Sequence, residues 1–147
     1  MKTTKKSASG FFIVEILIVL VIIGILVVAL LPNLQTYTKR AQFQDVVAGA
    51  SAVRSAVDLC IVRVASVGAT TVPASCVAGS NGIPANNAAI DTGFLGSVTT
   101  AANGVITATS YSTNFGGAYT YILTPALSAS GFVTWTPSGT CQAAGYC

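Results

Sequence analysis

Residues 11–31 read FFIVEILIVLVIIGILVVALL, and apart from Glu15 every residue of this stretch is apolar. In an α-helix a stretch of this length spans about 31 Å, close to the thickness of the hydrocarbon core of a lipid bilayer. Only 7% of the 147 residues are charged, compared with about 25% in an ordinary soluble domain. The sequence therefore predicts a transmembrane helix and makes a soluble enzyme a poor interpretation.

A short polar segment precedes the apolar stretch. Residues 1–10 read MKTTKKSASG, and their lysines favour a cytoplasmic N-terminus, although Lys39 and Arg40 follow the apolar stretch closely. An ordinary signal peptide has its small-residue cleavage site after the apolar stretch, whereas here the small residues 7–10 come before it. Two interpretations follow: cleavage after Gly10, which would leave the helix in the mature protein, or an uncleaved signal anchor.

Glu15 carries the one charged side chain within the apolar stretch. A charged side chain inside a bilayer is costly unless it is paired, neutralised or close to the interface. One interpretation is that Glu15 lies near the membrane surface, either protonated or solvated. Alternatively, cleavage after Gly10 would free the α-amine of Phe11, one helical turn away, and each neighbouring copy would carry the same amine. We would then expect Glu15 to pair with the Phe11 amine of a neighbouring copy and to set the axial offset between copies.

The sequence GFFIVE at residues 10–15 resembles the prepilin cleavage motif, in which a short basic leader, a glycine and an aromatic residue precede apolar residues and a glutamate. From residue 1 to about residue 40 the chain is similar to type IV pilins of the type IVa kind. The resemblance implies that a membrane prepilin peptidase cuts between Gly10 and Phe11 and N-methylates Phe11. Many family members have serine or threonine where Phe12 stands, which is a minor departure.

Gly24, Pro32 and Tyr37 also stand where type IV pilins commonly carry glycine, proline and tyrosine. By resemblance, the helix between Gly24 and Pro32 loosens when a subunit leaves the bilayer and packs into a filament. The residues themselves support a more limited expectation. Glycine is common in membrane helices, and proline removes one backbone hydrogen bond and so weakens or ends a helix.

Beyond Pro32, apolar residues recur at intervals of three and four residues: Phe43, Val46, Val47, Ala50, Val53, Val57, Ile61 and Val64. This periodicity predicts that residues 32–65 continue the helix as an amphipathic segment. We expect its apolar face to pack on a β-sheet. Its polar face, which includes Arg40, Gln44 and Asp58, should point outward.

The remaining residues, 66–147, predict a globular head. Within 66–103, glycine, proline and asparagine interrupt a stretch rich in small residues, which predicts a surface loop to about Thr92. By resemblance this is the variable αβ-loop of pilins. Three β-rich runs follow, at residues 105–110, 119–123 and 132–136. We therefore expect an α+β fold, with the long helix packed on an antiparallel sheet of three or four strands and with residues 104–147 forming the sheet and a C-terminal disulfide loop.

Four cysteines follow the apolar stretch, namely Cys60, Cys76, Cys141 and Cys147. An even number beyond a membrane segment predicts disulfides in an oxidising compartment, and the spacings match no common zinc motif. Three pairings are possible. We expect Cys60–Cys76 and Cys141–Cys147 because these pairs close short loops. By resemblance the C-terminal pair borders the D-region of pilins, which is often exposed and adhesive, although simple stabilisation of the C-terminus is an equally good interpretation.

The composition argues against several classes of function. From residue 11 onward four basic and four acidic residues balance, so strong nucleic-acid binding by this chain alone is not expected. Histidine is absent, and the sequence contains no paired carboxylates and no phosphate-binding glycine motif. We expect a non-enzymatic protein that uses no cofactor and no metal.

The resemblance implies a structural subunit of a type IV pilus, or fimbrium. The precursor would span the inner membrane once with its N-terminus in the cytoplasm, and the mature chain would polymerise through its N-terminal helix into an extracellular helical filament. The implied partners are other copies, the prepilin peptidase and the inner-membrane assembly platform. The implied activities are adhesion, twitching motility or DNA uptake.

The alternatives are a minor pilin, a filament-tip adhesin or DNA receptor, and a pseudopilin of type II secretion. Pseudopilins often lack the C-terminal disulfide, and some bind calcium through acidic loops. Here Cys141 and Cys147 are present, and Asp91 is the only acidic residue beyond Asp58. Both features favour the pilus.

Overall fold

A computed structural model describes residues 9–87 and 93–147, so most of the predicted leader and Asp91 lie outside the described residues. The first element is helix α1, which comprises Ser9–Val64 and is 56 residues long. The chain divides into two compact units, the first ending at Tyr37 and the second beginning at Thr38. The two units are described separately below.

The described part of the first unit is the N-terminal portion of α1. Within it, the segment Phe12–Leu30 is long and apolar enough to cross a membrane, and none of its residues is buried. Helical structure persists past Gly24 and through Pro32, so neither residue ends the helix.

The second unit contains the rest of α1 and the head. One face of this part of α1 is buried, as the periodicity predicted; its fully or nearly fully buried residues are Phe43, Val46, Ala50, Val57, Cys60 and Ile61. Helix α1 ends at Val64. Arg63 in the last turn places a positive charge where the helix dipole favours one.

The head contains one sheet of four antiparallel strands in the order in which they occur along the chain. The strands are β1 (Leu95–Thr100), β2 (Ile106–Ser110), β3 (Thr120–Leu127) and β4 (Val133–Ser138). A 3-10 turn at Ala102–Gly104 joins β1 to β2, the short helix α2 (Ser112–Phe115) joins β2 to β3, and α3 (Thr140–Ala143) follows β4. The predicted α+β fold, a long N-terminal helix followed by an antiparallel sheet, is confirmed.

The two faces of the sheet differ because side chains alternate along each strand. The inner face contributes buried residues to the same core as α1, namely Val98, Ile106, Ala108, Leu123 and Leu127. The outer face is rich in hydroxyl groups, from Ser97, Thr99, Thr107, Thr109, Thr124, Thr134 and Thr136. The sheet therefore has one apolar and one polar face, as expected for a sheet that is covered on one side only.

Strand β1 was not predicted, because the sequence LGSVTT contains only two large apolar residues and was assigned to the loop. Long-range contacts hold it in place instead. It pairs with β2 along its length, and the preceding loop covers its other edge through bonds from Asn87 N to Val98 O (3.0 Å) and from Ala78 N to Thr100 O (3.2 Å). The side-chain oxygen of Asn86 accepts a further bond from the Thr100 amide at 2.8 Å.

Strand β3 extends beyond the predicted run at residues 119–123 and continues through Pro125 to Leu127. A proline in the middle of a strand is tolerated only where its missing N–H is not needed. Strand β2 pairs with β3 only as far as Leu123, so Pro125 pairs with β4 alone, opposite Trp135. The proline thus lies where one side of β3 has no neighbouring strand.

The part of the predicted surface loop that the structure describes is well bonded. Its Cys76 carbonyl accepts a bond from Gly104 N at 2.9 Å, and its Val72 carbonyl accepts one from the Asn103 side chain at 2.7 Å. Gly104 has φ +71°, and a Cβ there would lie 2.6 Å from a methyl group of Val57. Only glycine therefore fits where the 3-10 turn crosses α1.

An aromatic cluster fills one end of the core. The ring of Tyr146 lies 6.1 Å from Phe43, 5.7 Å from Phe115 and 5.0 Å from Tyr119, measured between ring centroids. These separations fall in the range where aromatic pairs attract beyond simple burial. The C-terminal residues are thereby packed against α1, α2 and the residue that directly precedes β3.

Candidate functional site: the exposed apolar helix and the head

The most unusual surface of the molecule is the apolar segment Phe12–Leu30. Its large side chains are exposed on every side of the helix; Phe12 is 68% exposed and Val28 is 72% exposed. Monomeric soluble proteins rarely expose contiguous apolar patches larger than a few hundred Å². The segment therefore requires an apolar environment from outside its own chain, either lipid or other protein.

The carboxylate of Glu15 lies within this apolar surface. Glu15 is exposed, and its neighbours one turn away on the same face, Phe12, Ile18 and Val19, are exposed apolar residues. Among the described residues Glu15 has no hydrogen-bond or ion-pair partner. Any lipid or protein that covers the helix would therefore also cover an uncompensated carboxylate.

The predicted cleavage site lies at the start of the same helix. Because α1 begins at Ser9, the backbone of Gly10 and Phe11 is helical, and Phe11 precedes Glu15 by about one turn. Helical side chains tilt toward the N-terminus, so the Glu15 carboxylate points toward the turn that contains residue 11. Cleavage, methylation and pairing with a neighbouring copy remain predictions, as does loosening at Gly24 and Pro32.

No known protein-family model matches the chain. The chain is 37% identical over 79 residues to the "Type IV pilus subunit protein TapA" of Aeromonas hydrophila. The match covers 54% of this chain and 51% of the relative, so the chain spans about half the length of the curated relative that it matches. The resemblance to type IV pilins is confirmed. The long N-terminal helix and the four-stranded antiparallel sheet are also consistent with a pilin fold.

In this pilin-like head, two disulfides hold loops in place. Cys60 in α1 bonds to Cys76 in the loop, with both residues fully buried, and the pairing predicted for these two is confirmed. A second bond joins Cys141 to Cys147, with 5.4 Å between their Cα atoms. The first ties the loop to the C-terminal part of α1, and the second closes a small loop at the end of the chain.

The C-terminal loop of the pilin-like head is attached to α1 through a contact that sequence analysis did not predict. The Nε–H of Arg40 donates a hydrogen bond to the Gly145 carbonyl at 2.9 Å. Tyr146, within the same disulfide loop, is 9% exposed and packs in the aromatic cluster. Arg40 was expected to point outward; it is exposed, and it also bonds to the C-terminal loop of its own chain.

Asp58 was also expected to point outward, and this was only partly right. Its Oδ1 accepts a hydrogen bond from the Trp135 indole N–H at 2.9 Å, and its Oδ2 lies 3.8 Å from Arg54 Nε. The Arg54 guanidinium in turn lies 5.3 Å from the centre of the Trp135 ring. These three side chains join α1 to β4. Sequence analysis did not predict the contact between Asp58 and Trp135, because these residues are 77 positions apart along the chain.

Proposed function

We propose that this chain is a structural subunit of a type IV pilus. The observation that carries the proposal is the nineteen-residue segment Phe12–Leu30, whose side chains are all unburied in the isolated chain. Membrane lipid would cover this surface before assembly, and the same segment of other copies would cover it in the filament. The similarity to a pilus subunit and the α+β head support this interpretation.

We propose that the mature subunit begins at Phe11. The basic leader and Gly10 precede the helix in the arrangement that a prepilin peptidase recognises by resemblance. Cleavage there would remove residues 1–10 and free the amine of Phe11, which the same peptidase would methylate. The precursor would lie in the inner membrane with its N-terminus in the cytoplasm.

Assembly would then bring the Phe11 amine of one copy to Glu15 of a neighbour. Two charges buried separately in an apolar bundle are each costly, whereas a pair compensates both. Glu15 would thus favour the filament over random aggregation, since only the correct axial offset provides its partner. Extraction from the membrane would require the inner-membrane assembly platform.

The head suits an extracellular, non-enzymatic role. Residues 65–147 contain one charged residue, Asp91, together with many serines and threonines. The described residues contain no cluster of three side chains able to bind a metal ion. This composition favours a pilus subunit over a calcium-binding pseudopilin. Adhesion, twitching motility and DNA uptake are the activities that such a filament would serve.

The test is the mass of the subunit in filaments sheared from cells that express the chain. The proposal expects a dominant protein whose mass corresponds to residues 11–147 plus one methyl group and minus the hydrogens lost to disulfides. A Gly10→Leu variant should accumulate as precursor in the membrane, whereas Gly24→Ala, which leaves the cleavage motif intact, should be processed normally. Filaments built from a chain that begins at Met1, or absence of the chain from the sheared material, would contradict the proposal.

A further inference from the structure

The two edge strands of the sheet differ in how their free edges are covered. The loop covers the free edge of β1 through the bonds from the Ala78 and Asn87 amides. Along β4, among the residues that the structure describes, no bond outside the pairing with β3 reaches the backbone of Val133 or Trp135. One edge of the sheet is therefore closed by its own chain, and the other is open.

The hairpin between β3 and β4 shows which backbone groups face the open edge. Residues opposite each other in an antiparallel pair alternate between hydrogen-bonded and non-hydrogen-bonded pairs. Ser128 N donates to Phe132 O at 2.9 Å, so residues 128 and 132 form a hydrogen-bonded pair. Three steps further along the register, Pro125 lies opposite Trp135 in a non-hydrogen-bonded pair, which suits a residue without an N–H.

This alternation places the N–H and C=O groups of Val133 and Trp135 on the side of β4 that faces away from β3. The open edge is short, because the next residue of the same phase, Pro137, has no N–H to donate. The Pro137 carbonyl already accepts a bond from the Gln142 side chain at 3.3 Å. The open part of the edge therefore presents two donors and two acceptors, all from Val133 and Trp135.

No charged side chain protects this edge. Natural proteins commonly place lysine or another charged residue on an edge strand, which prevents pairing with a second chain. Residues 95–147, which include all four strands, contain no aspartate, glutamate, lysine or arginine. An extended strand from another molecule can add to an open edge of this kind through main-chain hydrogen bonds.

We propose that β4 of one head pairs antiparallel with β4 of a second copy, about a two-fold axis at Thr134. In this register Val133 of each copy lies opposite Trp135 of the other, and each such pair exchanges two hydrogen bonds. Every open donor and acceptor of both edges is then used. A register centred on Trp135 would instead place Val133 opposite Pro137, which has no N–H for the Val133 carbonyl.

The side chains favour the same register. On the inner face each pair brings a β-branched residue, Val133, beside an aromatic one, Trp135, and both are only half-buried in the isolated chain. On the outer face Thr134 meets its own copy across the axis. Phe132, which is 72% exposed, comes next to Thr136 of the other copy. Aromatic with β-branched pairs and threonine pairs are cross-strand neighbours that stabilise a sheet.

The contact goes beyond the proposed function, because it does not join neighbours within one filament. A two-fold axis perpendicular to the sheet reverses the direction of the helix that packs on the sheet. Copies added one after another in a single orientation cannot be related in this way. The contact would therefore join two filaments that run in opposite directions, where many weak contacts act together. That consequence rests on the proposed function, whereas the pairing of two heads does not.

Disulfide trapping of the full chain in detergent tests the register. In the proposed pair the two Cα atoms of residue 134 lie about 4.5 Å apart, within the range that a disulfide spans. The matched control is Thr136→Cys, another exposed threonine on the same face of β4, whose two copies would lie about 14 Å apart. Under mild oxidation Thr134→Cys should give at least about tenfold more covalent dimer than Thr136→Cys, with no larger species. Equal dimer from both variants, or none from Thr134→Cys, would overturn the inference.

A charge on the open edge supplies a second test. Thr134→Lys places two like charges opposite each other at the two-fold axis, so it should lower the share of sheared filaments lying side by side at least about threefold. The control is Thr99→Lys, an exposed threonine of β1 at the edge that the loop covers, and it should leave that share unchanged. Both positions are exposed, so the circular dichroism of each variant should match that of the unaltered chain. An equal share for Thr134→Lys and the unaltered chain would contradict the contact between filaments.

The outcomes distinguish this inference from the proposed function. If the unaltered chain forms no filaments but Thr134→Cys gives the dimer in detergent, the proposed function fails and the pairing of heads stands. If filaments form but Thr134→Cys gives no more dimer than Thr136→Cys, the inference alone fails.

Discussion

The two parts of helix α1 form the same secondary structure for different reasons. In Phe12–Leu30 every face of the helix is exposed and, apart from Glu15, apolar, whereas from Phe43 onward one face is buried against the sheet. The second part is stabilised by its own chain, through the head core. The first part finds no such support within its unit and depends on what surrounds it. Apolar residues that recur periodically along a helix thus indicate a part that packs against its own chain. An uninterrupted run of apolar residues indicates a part that lipid or another protein must cover.

The largest effect, on filament yield, is expected from Glu15→Ala, which removes the one charge from the segment Phe12–Leu30. The variant should still insert into the membrane and be cleaved, because neither step requires a buried ion pair. Filament yield should fall at least about tenfold, since the Phe11 amine of each copy would be buried without a partner. The measurement is the amount of subunit in the sheared fraction relative to the membrane fraction.

The control for this experiment is Leu17→Ala, which shortens a neighbouring side chain but leaves the carboxylate. It should reduce the yield far less than Glu15→Ala. A normal filament yield from Glu15→Ala would refute the pairing of Glu15 with a neighbouring amine.

The next largest effect is expected on the stability of the head. Both parts of α1 contain a phenylalanine, so the same substitution can be compared in each. Phe43 is 0% exposed, and Phe12 is 68% exposed. Phe43→Ala should destabilise the head by about 3–5 kcal/mol, through lost burial and the cavity left behind. Phe12→Ala should leave the stability of the head unchanged. The stability of the head can be measured by thermal unfolding of the full chain in detergent, followed by near-ultraviolet circular dichroism. If both variants lowered the stability of the head equally, the proposed difference between the two parts of α1 would be contradicted.

Much of this fold could be predicted from local sequence patterns. The uniform apolar run and the periodicity from Phe43 to Val64 predicted α1 and its end, because helix burial leaves a periodic signature. Three strands were predicted from their β-branched and aromatic residues. Strand β1 was not, since Leu95–Thr100 is held by β2 and by the loop that covers it rather than by apolar residues of its own.

A third prediction concerns the two disulfides of the head. Cys60–Cys76 closes a loop with a sequence separation of 16, and Cys141–Cys147 closes one with a separation of 6. On loop-closure entropy alone, removing the first should cost about 3 kcal/mol and removing the second about 2 kcal/mol. Cys60→Ala with Cys76→Ala should therefore lower the melting temperature of the head more than Cys141→Ala with Cys147→Ala. If Cys141→Ala with Cys147→Ala lowered the melting temperature more, the C-terminal disulfide would stabilise the head more than its loop length implies.

The smallest expected effect concerns the contact between α1 and β4. Trp135→Phe removes the hydrogen bond to Asp58 but keeps most of the ring, so the cost should be about 1 kcal/mol. Arg54→Met, which removes a largely exposed ion pair, should cost less than about 0.5 kcal/mol. Urea unfolding of the full chain in detergent resolves the two. A larger loss from Arg54→Met would mean that the guanidinium, through its ion pair with Asp58 and its contact with the Trp135 ring, rather than the indole hydrogen bond, joins these elements.

The candidate site was predictable only in part. Gly10, Phe11 and Glu15 were singled out because a lone carboxylate in an apolar run, preceded by a basic leader, forms a recognisable pattern, and their roles stay predictions. The contacts of Arg40 with Gly145 and of Asp58 with Trp135 were not, because each joins residues far apart in sequence. Such pairs leave no periodic trace, and only the folded chain brings them together.

The most direct test of the account is the structure of the filament itself, determined by electron cryomicroscopy of material sheared from expressing cells. The account predicts that residues 12–30 of every copy are packed together along the filament axis, with the Phe11 amine of each copy next to Glu15 of a neighbour. A filament in which this segment faces water, or in which Glu15 lies far from every Phe11 amine, would contradict it.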